Sequence, residues 1–270
     1  MNKLFAFCLV WSLLLCGCVL QDTPATQPAT ATTQVTTEAT MEATTEPTTE
    51  PTTEPTTEPT KPEHSVFYLS HLSVEDVIRY FNEVCLNAEI VNSGDPTRLQ
   101  KWVVPIRYYI NGTCTEEDMA TLNKFVSWLN QIDGFPAMHI VDDPALANLR
   151  ITFCDEDAYI SLMGDNFYGT DGGVTFWYNG SDQIFDAIIG YRADISQEIR
   201  NSVILEEIYN GLGPINDTWE RDNSIIYAGY STPQWLSEED QLILKLLYHP
   251  MMKCGMDAAE CEAVIRQLYY

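Results

Sequence analysis

Apolar positions along this chain fall into three regimes. Residues 4–16, LFAFCLVWSLLLC, are almost unbroken hydrocarbon, residues 19–63 carry very little, and from His64 onward apolar residues return with the periods of helices and strands. In the last regime, SVEDVIRYFNEVCLNAEI (residues 73–90) places Ser73 before a helical apolar spacing, with Asp76 three residues on as a capping acid. That pattern predicts a first helix. KWVVPIRYYING follows, with Trp102, Val104, Ile106, Tyr108 and Ile110 alternating, which predicts a strand. TEEDMATLNKFVSWLNQI opens on Thr115 as N-cap, has acids in its first turn, and sets Met119, Leu122, Phe125, Val126 and Leu129 on one face. It predicts a long amphipathic helix. AMHIVDD, LRITFCD, GGVTFWYNG and DAIIGYRADI then read as short strands, and VILEEIYNGLG as a further helix. The sum is an α+β architecture, a mixed sheet of about five strands backed by helices.

The VILEEIYNGLG helix can be tested by angle. At about 100° per residue, Ile204, Leu205, Ile208 and Leu212 share one side, and Glu206 and Asn210 fall nearly opposite. Gly211 and Gly213 end the helix, Gly213 suiting the backbone reversal after a last turn. The segment PINDTW follows, where Asn216 and Asp217 are natural turn formers.

The first two regimes fix where the folded part begins. One lysine, an apolar run too short to span a bilayer, and small residues make residues 1–17 a secretory signal. Leu15-Cys16-Gly17-Cys18 matches a bacterial lipobox, which makes Cys18 the lipidated residue and the anchor to the extracytoplasmic face of the cell membrane. Residues 18–63 are this cysteine and a Thr/Pro/Glu-rich linker with TTEP repeats, too poor in apolar groups to offset the entropy of ordering, and so a disordered stalk. Residues 64–270 are long enough for one domain with a sizeable core. They carry 31 acidic against 12 basic residues, which excludes nucleic acid as a partner. The domain holds five cysteines, an odd number; Cys254 and Cys261, bracketing a short turn into a helix, are the expected disulfide, while Cys85, Cys114 and Cys154 cannot be paired from sequence.

Around Glu207 and Gly213 the sequence has the rhythm of a zinc-protease helix. With VVPIRYYI, LRITFC, GGVTFWY and the later NSIIYAGYSTPQWLSEEDQLILKLLY, it resembles the metzincin zinc endopeptidases over roughly residues 102–248. Through EEIYNGLGPIND, NSII and LYHPMMKCGM it resembles more closely a domain-of-unknown-function family of bacterial lipoproteins, with Asn210 where that family has glutamine. The resemblance implies a zincin-like fold with GGVTFWY as a substrate-aligning edge strand. It puts Glu207 at the general-base position, Glu206, Asn210 and Asn216 at the three ligand positions beside Asp217, and Ile225 or Ile226 at the Met-turn.

The three ligand positions hold no imidazole, and His64, His71, His139 and His249 have no ligand spacing among them. Amide oxygens are poor zinc donors, so no catalytic zinc and no resident cofactor are expected; carboxylate and amide oxygens suit a hard cation such as calcium better. Glu206 and Glu207 are adjacent and point about 100° apart, so they do not form an acid–base pair on one atom. The default for Glu206, Glu207 and Asn210 is a polar network in place of a metal. Two functions remain: a non-catalytic, surface-anchored module that binds an extended peptide or an envelope protein by strand addition, and a hydrolase that relies on Glu207 with an unusual metal or none. A purely structural envelope protein with a filled cleft is the third reading.

Overall fold

The structure, a computed structural model, describes residues 65–86 and 98–270, which belong to one compact unit. The signal, Cys18, the linker, His64 and the predicted end of the first helix (residues 87–90) lie outside the described residues. Helix α1, Val74–Leu86, opens on the expected cap: Ser73 Oγ accepts from the Asp76 amide at 3.1 Å, and Asp76 accepts from the Ser73 amide at 3.3 Å. Helix α2, Glu116–Leu129, starts on a capping box between Thr115 and Asp118. The predicted single strand over residues 101–112 is instead two, β1 (Lys101–Trp102) and β2 (Ile106–Gly112). Pro105 has no N–H to give a ladder, and the chain bends outward before it, leaving Val103 and Val104 exposed at 45% and 41%.

Strands β3 (Met138–Ile140), β4 (Leu149–Cys154), β5 (Gly172–Tyr178) and β6 (Gln183–Arg192) complete a six-stranded sheet, one strand more than expected because of that break. The order β1-β6-β4-β2-β3 is parallel throughout, and β5 alone runs antiparallel, on β6. The expected mixed sheet backed by helices is therefore present. Between β4 and β5 lies a helix that periodicity did not single out, α3 (Glu156–Met163), two turns long and started by Asp155. Helix α4, Gln197–Gly211, carries the EEIYN stretch, and α5 (Glu238–Tyr248) and α6 (Ala258–Leu268) finish the chain.

Two neighbouring glycines show how the helices sandwich the sheet. A Cβ on Gly172 would stand 2.3 Å from Val203 Cγ1 of α4, whereas one on Gly173 would stand 2.3 Å from Phe167 and 2.9 Å from Tyr159 of α3. Successive residues of a strand face opposite ways, so α4 covers one face of the sheet here and α3 the other. With only hydrogen in those directions, both helices approach β5 more closely than any side chain would allow. Helix α4 is consequently buried on nearly all sides, not on one aliphatic stripe; Glu206 and Asn210, opposite that stripe as expected, keep partial exposure.

The carbonyls that α4 cannot satisfy internally at its end are met by side chains. Trp102 Nε1 donates to Gly211 O at 2.9 Å and Tyr248 Oη to Leu212 O at 2.8 Å. Gly213 then takes φ +132°, where a Cβ would strike Gln100 O at 2.5 Å. The buried Lys101 plays the same part for α5, its Nζ donating to Leu247 O and Met252 O at 2.7 Å each.

The disulfide expected between Cys254 and Cys261 is not formed: all five described cysteines are free. Cys254 turns its Sγ toward Lys101 O at 3.6 Å, while Cys261 sits inside the first turns of α6, buried against the core that also holds Cys85. Proximity in sequence does not give two side chains the shared direction that a bridge requires.

Candidate functional site

Three segments meet to form a cleft enclosing about 750 Å³, its open mouth included. One wall is α4, which presents Ser202, Glu206, Glu207 and Asn210. The second is the turn leading into β5, with Thr170, Asp171 and Gly172. The third is the loop after α4, which contributes Asp217, Ala228, Tyr230 and Ser231.

Each wall is held by its own buried contacts. Helix α4 is tied to α2 by an ion pair with almost no exposure, Arg200 Nε to Asp118 Oδ1 at 2.7 Å, and to the sheet by Tyr191 Oη donating to Ile204 O at 3.1 Å. The turn before β5 is fixed where Tyr159 Oη meets Thr170 Oγ1 at 2.6 Å, Thr170 in turn donating to Phe167 O. The loop closes on itself where the Thr218 amide donates to Ile226 O and the Ala228 amide to Thr218 O, both at 2.9 Å. Its base is Asp240, a fully buried carboxylate of α5 that accepts from Tyr80 Oη and Ser224 Oγ at 2.7 Å, the Ile225 amide at 2.9 Å and the Ser237 amide at 3.1 Å. Ile225 and Ile226, either of which the resemblance puts at the Met-turn, are buried under this wall.

The sequence-predicted residues divide between two places. Glu206, Glu207, Asn210 and Asp217 converge on the cleft. Asn216 does not line it: its Nδ2 donates to Glu83 O at 2.9 Å, and the amides of Ile215 and Asn216 reach Val84 O, so the third ligand position of the resemblance is spent on closing the end of α1. Glu207 is 4% exposed and lies against β5, where a Cβ on Gly172 would stand 3.4 Å from its Oε1. Asn210 Oδ1 is buried and accepts no hydrogen bond from the protein.

The cleft is strongly acidic. Asp171, Glu206, Glu207 and Asp217 line it, and among the described residues no lysine, arginine or histidine does. The field reaches the tyrosines behind it. Burial, then the charge of Glu207, pushes the Tyr159 hydroxyl far up, and burial with Glu207 and Glu206 does the same to Tyr191, so both stay protonated as donors.

Zinc does not fit these residues. The resemblance would use Glu206, Asn210 and Asn216, of which one is a carboxylate, one an amide and one is turned toward α1. His71 pairs with Glu239 at 2.9 Å, and neither His139 nor His249 lines the cleft. Among the described residues no group of three or more His, Cys, Asp or Glu side chains is placed to hold a metal ion, which bears equally on calcium.

Sequence reasoning missed Asp171, Thr170, Ser202, Tyr230 and Ser231. The glycines of GTDGG were the readable signal for the second wall; nothing local marks Tyr230. Trp219 and Trp235, the two tryptophans of the segment between α4 and α5, are separated. Trp235 packs with Phe125 and Trp128 under the Lys124 ammonium, 4.0 Å from its ring, while Trp219 stands 61% exposed beside Tyr227, two residues beyond Asp217.

These features define a mixed α/β domain whose acidic cleft lies at the start of an antiparallel edge strand. Residues 74–267 match the family described as Protein of unknown function (DUF2927), and the chain belongs to that family. No curated protein matches it in sequence. Among solved structures it is similar to two of myroilysin, each at 14% identity over 64% of this chain; they cover 72% and 73% of those chains, with TM-scores of 0.28 and 0.27. At such scores no property of myroilysin transfers.

Proposed function

We propose that the domain is a non-catalytic peptide-binding module, carried on the extracytoplasmic face of a bacterial membrane by a lipid on Cys18. The observation that carries the binding reading is the position of β5. It pairs with β6 alone among the described strands, and its first residue, Gly172, is part of the cleft wall. An extended chain added along residues 175–178 would gain main-chain hydrogen bonds there and run over the cleft at one end. The anchor rests on the lipobox; among the described residues no helix is long and apolar enough to cross a membrane.

Titration of the full chain with end-blocked extended peptides tests the binding. N-methylation of alternate peptide amides should abolish it, since those amides can no longer donate. Equal binding of methylated and unmethylated peptides, or none of either, removes the reading. Fatty-acid incorporation that is unchanged in Cys18→Ala removes the anchor.

A second reading is supported by Glu207, a buried carboxylate at the cleft wall in the general-base position. A broad peptide-cleavage assay separates the two: activity that is lost in Glu207→Gln establishes a hydrolase.

A further inference from the structure

We infer that Asn179 is a site of self-modification: its side chain loses ammonia to form a cyclic imide with the Gly180 amide, and water opens the imide to aspartate or isoaspartate. The inference stands apart from the peptide-binding reading. Three Asn–Gly pairs occur in the chain, Asn111–Gly112, Asn179–Gly180 and Asn210–Gly211. Each is an intrinsically labile asparagine, because a glycine leaves its own nitrogen unshielded and its backbone free to bend. The fold treats the three differently.

Asn179 and Gly180 are both exposed, at the tip of the hairpin that joins β5 to β6. A Cβ on Gly180 would meet nothing within 4 Å, so the turn has room to bend its nitrogen toward the side chain. Among the described residues the Gly180 N–H donates to no backbone carbonyl. The electrophile, by contrast, is held. Asn179 Oδ1 accepts from the Ser181 amide at 2.9 Å and the Gln183 amide at 3.2 Å, and Nδ2 donates to Gln183 Oε1 at 3.1 Å. The two amides face the oxygen on which negative charge grows as the nitrogen attacks Cγ, and donors so placed lower the barrier to acyl transfer. The N–Cγ bond forms and the Gly180 proton passes to solvent. The Cγ–Nδ2 bond breaks as Nδ2 takes up a proton and leaves as ammonia. One water then adds at either imide carbonyl, and no oxidant or second substrate is consumed.

The other two pairs lack this freedom. Gly112 lies in the β2–β4 ladder opposite Phe153, and a Cβ there would stand 1.9 Å from Phe153 O, so its backbone is wedged against the neighbouring strand. Asn210 and Gly211 end α4, where the Gly211 N–H belongs to the helix and Trp102 Nε1 holds Gly211 O at 2.9 Å. At Asn179 the product also reaches β5. The hairpin is closed by the Asn179 amide on Gln183 O at 3.0 Å and the Asp182 amide on Asn179 O at 2.9 Å. Isoaspartate puts an extra main-chain carbon between those two groups and adds a negative charge, which loosens the end of the strand.

The test is peptide mapping by mass spectrometry on the full chain incubated in neutral buffer, folded and in urea, with isoaspartate located by electron-transfer fragmentation. In the folded protein Asn179 should convert at least about tenfold faster than Asn111 and Asn210, and urea should bring the three rates together. Hydroxylamine, which captures the imide and cuts the chain at it, should cleave the folded protein after Asn179 before either other site. Conversion of Asn111 or Asn210 that keeps pace with Asn179 in the folded protein overturns the inference. So does an Asn179 that stays intact in the folded protein while the urea-unfolded chain converts.

Discussion

Substituting Gly172 by alanine tests the close approach of β5 and α4 on which the cleft depends. The backbone at Gly172 is not in the left-handed region, so an L-residue is conformationally acceptable and the cost is steric alone. The new methyl would lie 2.3 Å from Val203 Cγ1 and 3.1 Å from Glu207 Cγ, well inside contact distance. Val203 and Glu207 are both buried on a helix fixed by Arg200–Asp118, and cannot step aside cheaply. Overpacking of this kind costs roughly 2 kcal/mol, or about 4–8 °C in Tm for a domain of this size. Val203→Ala alone removes two buried methyl groups and costs about 2 kcal/mol by leaving a void. In the double variant the alanine methyl occupies that void, so the combined loss should fall short of the sum by about 1–2 kcal/mol. Urea denaturation of the wild type, both single variants and the double supplies the cycle. Additive losses, within about 0.5 kcal/mol, would refute the reasoning, since they would mean that the two groups do not compete for one space.

Asp240→Ala deprives two hydroxyls and two amides of a buried acceptor and breaks one half of the Ser237–Asp240 capping box of α5; it should cost about 4 kcal/mol in denaturant unfolding, with Asp240→Asn costing clearly less, and a loss below about 1 kcal/mol would contradict the role given to that carboxylate. Burial lowers the Lys101 ammonium to about 8 from an ordinary 10.5, so between those pH values the unfolded chain binds more protons and this group's contribution to stability rises with pH, by about 3 kcal/mol in all. A neutral amine still has two N–H groups for Leu247 O and Met252 O, so losing the proton costs neither bond. The buried cysteines and tyrosines titrate in the opposite sense, so the rise is to be read as the difference between wild type and Lys101→Met; a difference that is flat from pH 8 to 10.5 would contradict it.

Much of the fold was legible because the signals were local. Ser73 with Asp76, and Thr115 with Asp118, announce helix starts through chemistry confined to four residues, and the alternation of LRITFC and GGVTFWY marks strands whose faces differ. What failed were features decided from outside the segment. Pro105 was passed over because the alternation continued on both sides of it, although a missing N–H outweighs the pattern. Cys254 and Cys261 looked paired along the chain, but their directions are set by Lys101 and by the packing of α6.

The candidate site was half legible for the same reason. Glu206 and Asn210 stand four apart on one helix, so their shared face follows from its period, and the adjacent Glu207 reaches the same cleft from the side of α4 that faces β5. Asn216 was drawn in by the resemblance, yet in the structure it answers a carbonyl of α1, more than a hundred residues away in sequence. Tyr230 and Asp171 arrive through the Asp240 and Thr170 contacts, which no local pattern encodes.

Binding without hydrolysis is the central claim, and mass spectrometry of a saturating end-blocked extended peptide after prolonged incubation with the full chain tests it most directly. The account predicts that the peptide is retained by the protein and recovered intact. Fragments that appear with the wild type and vanish with Glu207→Gln would contradict it.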